Sequence, residues 1–233
     1  MKPIIVIPTY NEKDNIAALI SALFSLGINN LSVVVVDDNS PDGTAVAVEE
    51  LKKTYPIYLI RRQRKLGLGS AYITGFKKAL ALGADYIFEM DADFSHDPND
   101  VPRLLQAAEQ GADLVIGSRR VINGKIKGWN WRRHLTSYVA TILARRLLKL
   151  KTKDVTAGFR CFRRRVLETI NLDAITSNGY AFQEELLYRA EQAGFRVAEI
   201  PVIFTDRRQG KSKLSNKDVG EFFLTMWRLK KCS

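Results

Sequence analysis

The 233-residue sequence predicts an α/β fold in one domain: a Rossmann-like, mostly parallel sheet flanked by helices. Two observations carry this. Short β-branched runs alternate with longer amphipathic segments through the first half, the pattern of parallel strands joined by crossover helices. The runs Ile4-Ile5-Val6-Ile7 and Val33-Val34-Val35-Val36 are continuously apolar, as expected of strands buried on both faces.

The first strand, 4–7, leads to a helix at about 12–26 that ends at Gly27. A second strand at 31–36 runs into Asp37-Asp38-Asn39-Ser40-Pro41-Asp42-Gly43, a turn before a helix at about 44–53, with Asn39, Ser40 and Asp42 as turn and capping residues. A strand at 57–60 and the turn Leu66-Gly67-Leu68-Gly69-Ser70 feed a helix at about 70–82. The position three residues after Gly69 is Tyr72 and not glycine, which argues against a dinucleotide-binding dehydrogenase. Next come a strand at 85–90, a helix at 100–110 and a strand at 113–119 with Arg119 at its exit. From about 134 to 150, Leu135, Tyr138, Val139, Ile142, Leu143, Leu147 and Leu150 share one helical face, with Arg145, Arg146 and Lys149 off it. Periodicity assigns that stripe to the core, whereas the basic flank with Trp129 and Trp131 fits a membrane interface. Helices at 164–170 and 181–194, a strand at 197–204 and a cationic loop at 205–214 complete the chain.

The hydrophobic content of 46% is ample for a core. Cys161 and Cys232 are far apart and suggest neither a disulfide framework nor a zinc cluster. The opening residues lack the pattern of a signal peptide, and no apolar stretch approaches the roughly 20 residues that span a bilayer. These features lead us to expect a cytoplasmic protein with at most peripheral membrane contact. The net charge of +11 is unevenly spread: residues 1–113 carry 11 Lys/Arg against 15 Asp/Glu, residues 114–233 carry 25 against 10, and 119–153 hold 11 basic residues and no acid. Such a field attracts phosphates, nucleic acid or an anionic membrane.

The most informative stretch is Asp91-Ala92-Asp93-Phe94-Ser95-His96, directly after Tyr86-Ile87-Phe88. Two carboxylates at the end of a buried strand suit a hard cation, because Mg²⁺ is usually held by one or two carboxylates plus substrate phosphates. In open α/β sheets the ligand sits beyond the carboxyl ends of the strands. Thr9/Tyr10, Asp37/Asp38, Asp91/Asp93 and Arg119 should therefore converge on one crevice, a nucleotide pocket.

Several motifs together resemble the inverting glycosyltransferases of family 2, which have the GT-A fold, and within them the dolichol-phosphate mannosyltransferases. Ile7-Pro8-Thr9-Tyr10-Asn11-Glu12, Val36-Asp37-Asp38-Asn39-Ser40-Pro41-Asp42-Gly43-Thr44 and Asp91-Ala92-Asp93 resemble donor-nucleotide elements common to family 2. Asp93-Phe94-Ser95-His96, Gly117-Ser118-Arg119, Gly128-Trp129, the segment 156–162, Gly179-Tyr180-Ala181-Phe182-Gln183 and Asp206-Arg207-Arg208 resemble the mannosyl branch, and the match covers about 3–219. Ser95 stands where many members have glutamine, and Phe94 where leucine is usual.

The resemblance implies transfer of mannose from GDP-mannose to a polyprenyl or dolichyl phosphate with inversion, by a metal-dependent enzyme. Pro8, Tyr10, Glu12 and Asp38 would contact the guanosine, and Asp91 and Asp93, with Ala92 between them, would hold Mg²⁺ or Mn²⁺ against the diphosphate. Arg119 and Arg133 would meet the acceptor phosphate, with Arg207 and Lys213 on phosphate groups. Residues about 1–118 would form the donor half and about 119–219 the acceptor half, on the cytoplasmic face of an anionic membrane. Whether a membrane-anchoring subunit assists is open.

A phosphate monoester is already a nucleophile at neutral pH, so no general base is required. His96 and Glu184 are the candidates for one; His96 reads as a structural loop residue, and Glu184 stays open. The rivals are a polyprenyl-phosphate glucosyltransferase using UDP-glucose, a nucleotidyltransferase, and a basic nucleic-acid-binding protein. An acidic strand-exit cluster, which repels a phosphate backbone, argues against nucleic acid as a partner.

Overall fold

The computed structural model describes residues 1–177, 179–206 and 225–230. In chain order the elements are β1 (Pro3–Thr9), α1 (Lys13–Ser25), β2 (Ser32–Asp37), α2 (Thr44–Leu51), β3 (Ile57–Arg61), α3 (Leu68–Ala81), β4 (Tyr86–Glu89), α4 (Val101–Glu109) and β5 (Leu114–Ser118). They continue with β6 (Lys125–Lys127), α5 (Trp131–Leu148), β7 (Arg160–Arg163), α6 (Arg164–Thr169), α7 (Gly179–Gln192), β8 (Val197–Pro201) and β9 (Ile203–Thr205). Residues 225–230 are helical.

Seven strands form one sheet in the order β3-β2-β1-β4-β7-β5-β8, and β6 pairs with β9 in a separate two-stranded sheet. β1 lies parallel to β2 and β4, β2 to β3, and β5 to β8. Only β7 is reversed, running antiparallel between β4 and β5. The carboxyl ends of six strands therefore share one edge of the sheet. The reversal brings the amino end of β7, and the segment 154–159 that leads into it, to that same edge.

Alternate residues of each strand face opposite sides, and both sides are covered. Ile4, Val6, Val34 and Val36 belong to a core shared with α3, α5, α6 and α7. Ile5, Ile7, Val33 and Val35 pack with α1, α2 and α4. This double burial is why those runs are continuously apolar.

α3 passes unusually close to the sheet. A Cβ on Gly75 would lie 2.2 Å from Val6 Cγ1 and 3.3 Å from Val36 Cγ2. Gly75→Ala must push the helix off β1 and is expected to cost about 1–3 kcal/mol, the usual range for overpacking. Thermal denaturation of the variant against the parent checks this; an unchanged melting temperature would contradict it.

Three expectations from sequence need correction. The strand at 197–204 is two strands in different sheets, because the chain bends at Val202. β6 and β7 were not expected: β6 is a three-residue exposed strand, and β7 carries two arginines in four residues. The stripe at 134–150 is divided: Leu150 joins the core and Ile142 and Leu143 are half-buried, whereas its first half faces outward. Thr141, Ala144 and Leu148 are the buried residues of α5, whereas Leu135 is 53%, Tyr138 52% and Val139 46% exposed. Small side chains allow α5 to lie against the domain, so the larger apolar ones of its first half point outward. No helix among the described residues is long and apolar enough to cross a membrane.

Candidate active site

Asp91 and Asp93 sit in the turn directly after β4. Phe94 adopts φ 59°, an outlying conformation for a bulky side chain. It turns the chain so that Ser95 N donates to Asp93 Oδ1 at 3.0 Å. The Tyr72 hydroxyl of α3 donates to Asp91 Oδ1 at 3.0 Å. A Cβ placed on Gly158 would stand 4.0 Å from Asp91 Oδ2 and 3.6 Å from Gln183 Nε2, so the chain passes close to that carboxylate with no side chain of its own. Among the described residues no group of three or more His, Cys, Asp or Glu is arranged to hold a metal ion. The donor set is thus a pair of carboxylates, which fits a hard cation completed by phosphate oxygens and water. Ala92 is buried in the core, so only its backbone can face a ligand.

Asp91 lines a cavity with Ser95, His96, Arg119, Trp129, Arg133, Thr156, Gly158, Gln183, Phe204 and Asp206. Its cationic wall is fixed by a residue that sequence reasoning missed, Asp154. Arg119 Nε donates to Asp154 Oδ2 at 2.8 Å, and Arg119 Nη2 to Asp154 Oδ1 at 2.6 Å and to Thr156 Oγ1 at 2.7 Å. The Arg119 backbone N–H adds a bond to Asp154 Oδ2 at 2.7 Å. Asp154 is fully buried. Burial opposes its charge, but the Arg119 guanidinium and these hydrogen bonds hold its carboxyl below the usual carboxylate range. Glu199 of β8 accepts from the backbone N–H groups of Lys153 and Asp154, and Glu191 of α7 from those of Lys151 and Thr152. These bonds lift Asp154 to the edge of the sheet. The available signal was that Asp154 is the first acid after the acid-free stretch.

Arg133 lies one turn into α5, whose first turn is capped by the Asn130 side chain. Its guanidinium pairs with Asp206 at 2.8 Å and lies 4.3 Å from the centroid of the Trp129 ring. Arg119 also faces Trp129 and Phe204, at 5.7 and 5.4 Å. Arg207 and Lys213 lie outside the described residues.

The expected guanosine contacts share the sheet edge but do not line this cavity. Pro8 is half-buried next to the last residue of β1, and Tyr10 is exposed with Lys65 Nζ 3.8 Å above its ring. Glu12 accepts from the Asn15 side chain at 2.9 Å, and its backbone N–H donates to Thr44 Oγ1. Asp38 is buried and paired with Arg62, and its Oδ2 accepts from Leu66 and Gly67 N–H at 3.2 Å. It anchors the loop that carries Lys65. Arg62, also missed, extends the anchor by donating to Ser70 Oγ and the Gly67 carbonyl. The turn reading of Ser40 and Asp42 agrees with the structure: Ser40 donates to Asp37, and Asp42 accepts from Thr44 and Lys13.

Behind the cavity lie ionisable groups without solvent. Arg160 is fully buried and donates to the carbonyls of Val155, Ala157 and Gln183, with Glu89 across the β4–β7 pair at 3.9 Å. Burial pushes the Glu89 carboxyl up to about 8 and raises that of Glu184 well above the ordinary value. Both Glu184 oxygens lack hydrogen-bond partners. Burial thus disfavours the Glu184 anion, and Glu184 is not among the residues that line the cavity. Glu184→Gln, which keeps the size of the side chain and removes a charge that burial disfavours, should change stability by less than about 1 kcal/mol. Its transfer rate should stay within about threefold of the parent; a hundredfold loss would restore the base. His96 is buried, stacks on Phe159 at 5.1 Å, and has its pKa lowered to about 4 by desolvation. It is neutral at physiological pH, consistent with a loop residue that packs.

A mostly parallel sheet with one reversed strand, an acidic pair at the exit of β4 and a cationic wall at the exit of β5 defines a glycosyltransferase of the GT-A fold. The chain belongs to glycosyl transferase family 2, whose model matches residues 4–170. It is 42% identical to polyprenol monophosphomannose synthase from Mycolicibacterium smegmatis, over 98% of this chain and 88% of the relative. Identity to undecaprenyl-phosphate mannosyltransferase from Micrococcus luteus is also 42%, over 98% and 93%. The fold is similar to glucosyl-3-phosphoglycerate synthase from Mycobacterium tuberculosis, with a TM-score of 0.72 over 99% of this chain and 80% of that one, at 18% identity. A structure of that enzyme with Mn²⁺, UDP-glucose and phosphoglyceric acid superposes with a TM-score of 0.70.

Proposed function

We propose that this enzyme transfers mannose from GDP-mannose to the phosphate of a polyprenyl phosphate, with inversion, releasing GDP. The observation that carries the reading is one cavity with an acidic side at Asp91 and a cationic side at Arg119 and Arg133. One side suits a metal-bound diphosphate and the other a lipid phosphate. The names of the two relatives, at 42% identity over nearly the whole chain, support mannose and a polyprenyl phosphate.

In this reading residues about 1–118 bind the donor and about 119–219 the acceptor. Pro8, Tyr10 and Glu12 border the guanosine, and Asp38 acts through the loop it anchors. Asp91 and Asp93 would hold Mg²⁺ or Mn²⁺, and such an ion would supply positive charge beside the diphosphate leaving group. Arg119, kept in plane by Asp154, and Arg133 orient the acceptor phosphate, joined by Arg207 and Lys213. The phosphate oxygen attacks the anomeric carbon directly, so positioning and electrostatics supply the catalysis. The exposed side of α5, with Trp131, Leu135, Tyr138 and Val139 beside Arg132, Arg146 and Lys149, rests on an anionic membrane. Each basic residue near such a surface contributes about 1 kcal/mol. The cytoplasmic face is where we place it.

The test is transfer of radiolabelled sugar from GDP-mannose, and in parallel UDP-glucose, to a polyprenyl phosphate with Mg²⁺, Mn²⁺ or a chelator. Metal-dependent mannosyl lipid is the expected product. Product from UDP-glucose alone would move the donor, and no product from either would sink the proposal. The membrane contact is checked by vesicle flotation: the parent should float with anionic vesicles, and Leu135→Ser/Val139→Ser should float about tenfold less. Equal flotation of both would remove α5 from the contact.

A further inference from the structure

Tyr72, the residue that spoils the dinucleotide fingerprint after Gly69, is fully buried on α3. Its ring lies parallel to Phe182 of α7, 5.9 Å between centroids and 4° between planes, and 5.9 Å from Phe76. Glycines three positions to either side hold α3 in place. A Cβ on Gly69 would come 2.9 Å from Phe182 Cδ2 and from the Ser177 carbonyl, and one on Gly75 would meet Val6. The ring has no room to swing, and its hydroxyl is directed at Asp91 Oδ1, 3.0 Å away.

An aspartate carboxylate turns freely about its last torsion, which is broad and roughly two-fold. The Tyr72 hydroxyl removes that freedom by engaging Oδ1. Asp91 Oδ2 then points toward Gly158, 4.0 Å from where a Cβ would stand there.

We propose that Tyr72 is a positioning residue: its hydroxyl orients the Asp91 carboxylate so that one oxygen is presented to a divalent cation bound with the nucleotide diphosphate. This rests on the reading of Asp91 as a metal ligand. Groups that hydrogen-bond a metal ligand from behind typically account for 10–100-fold in metal affinity or activity.

The experiment titrates Mn²⁺ into the full chain with GDP present and follows free Mn²⁺ by electron paramagnetic resonance. Tyr72→Phe, which keeps the ring and deletes the hydroxyl, should bind Mn²⁺ about 10–100-fold more weakly. Its Mn²⁺ requirement for transfer should shift alike, while the maximal rate at saturating metal stays within about threefold of the parent. Asp91→Asn separates the two readings. Parental Mn²⁺ binding in Asp91→Asn would overturn the metal reading and the role of Tyr72 with it. Loss of binding in Asp91→Asn with parental affinity in Tyr72→Phe would overturn the role of Tyr72 alone.

Discussion

Asp93→Ala should lower sugar transfer by at least about a thousandfold while leaving the protein folded. Asp93 is nearly buried in the turn after β4, with one oxygen held by Ser95 N–H. Removing its carboxylate takes away one of the two protein oxygens proposed to hold the cation. Charge stabilisation by such a cation is several kcal/mol, and each ~1.4 kcal/mol is a factor of ten in rate. The lost Ser95 bond costs only about 1 kcal/mol of stability, so rate and melting temperature should separate. Residual transfer above a tenth of the parent, with unchanged sensitivity to a chelator, would show that Asp93 is dispensable.

Asp154→Ala should have the largest effect on stability. It leaves the Arg119 guanidinium, almost wholly out of solvent, without its carboxylate. Breaking a buried pair from one side costs about 3–5 kcal/mol, which for a chain of this size lowers the melting temperature by roughly 6–20 °C. Transfer should fall as well, because Arg119 loses the partner that fixes its plane. The pH dependence follows from the lowered pKa. The folded state holds the Asp154 proton more weakly than the unfolded chain, so its stabilisation is present above the unfolded value of about 3.9. It is lost as pH falls through the lower, folded value. Below about pH 4 the parent should therefore lose stability more steeply than Asp154→Asn; parallel acid limbs in the two melting curves would contradict this.

How much of the site was legible depends on the range of the interactions that make it. The acidic pair and Arg119 were visible because each ends an apolar run, and a strand exit is a local pattern. The turn at 37–43 was legible for the same reason, since its bonds join residues close in sequence or across adjacent strands. Asp154 and Tyr72 were not legible. Asp154 reaches Arg119 only because β7 is inserted backwards between β4 and β5, and Tyr72 reaches Asp91 only because glycines let α3 descend onto the sheet. Arg62 looked like one cation among several until its pairing with Asp38 tied down the loop before α3.

What the sequence by itself determined is the alternation of strands and helices, the family, and the acidic and basic residues that face each other across the cavity; these follow from period, turn chemistry and motif. Tertiary structure alone decided the place of β7, the division of 197–204 between two sheets, and the outward direction of the first half of the α5 stripe. Periodicity defines which residues share a face but not what that face meets. In α5 the small residues Thr141 and Ala144 pack inward with Leu148, and Leu135, Tyr138 and Val139 are left for a surface outside the chain.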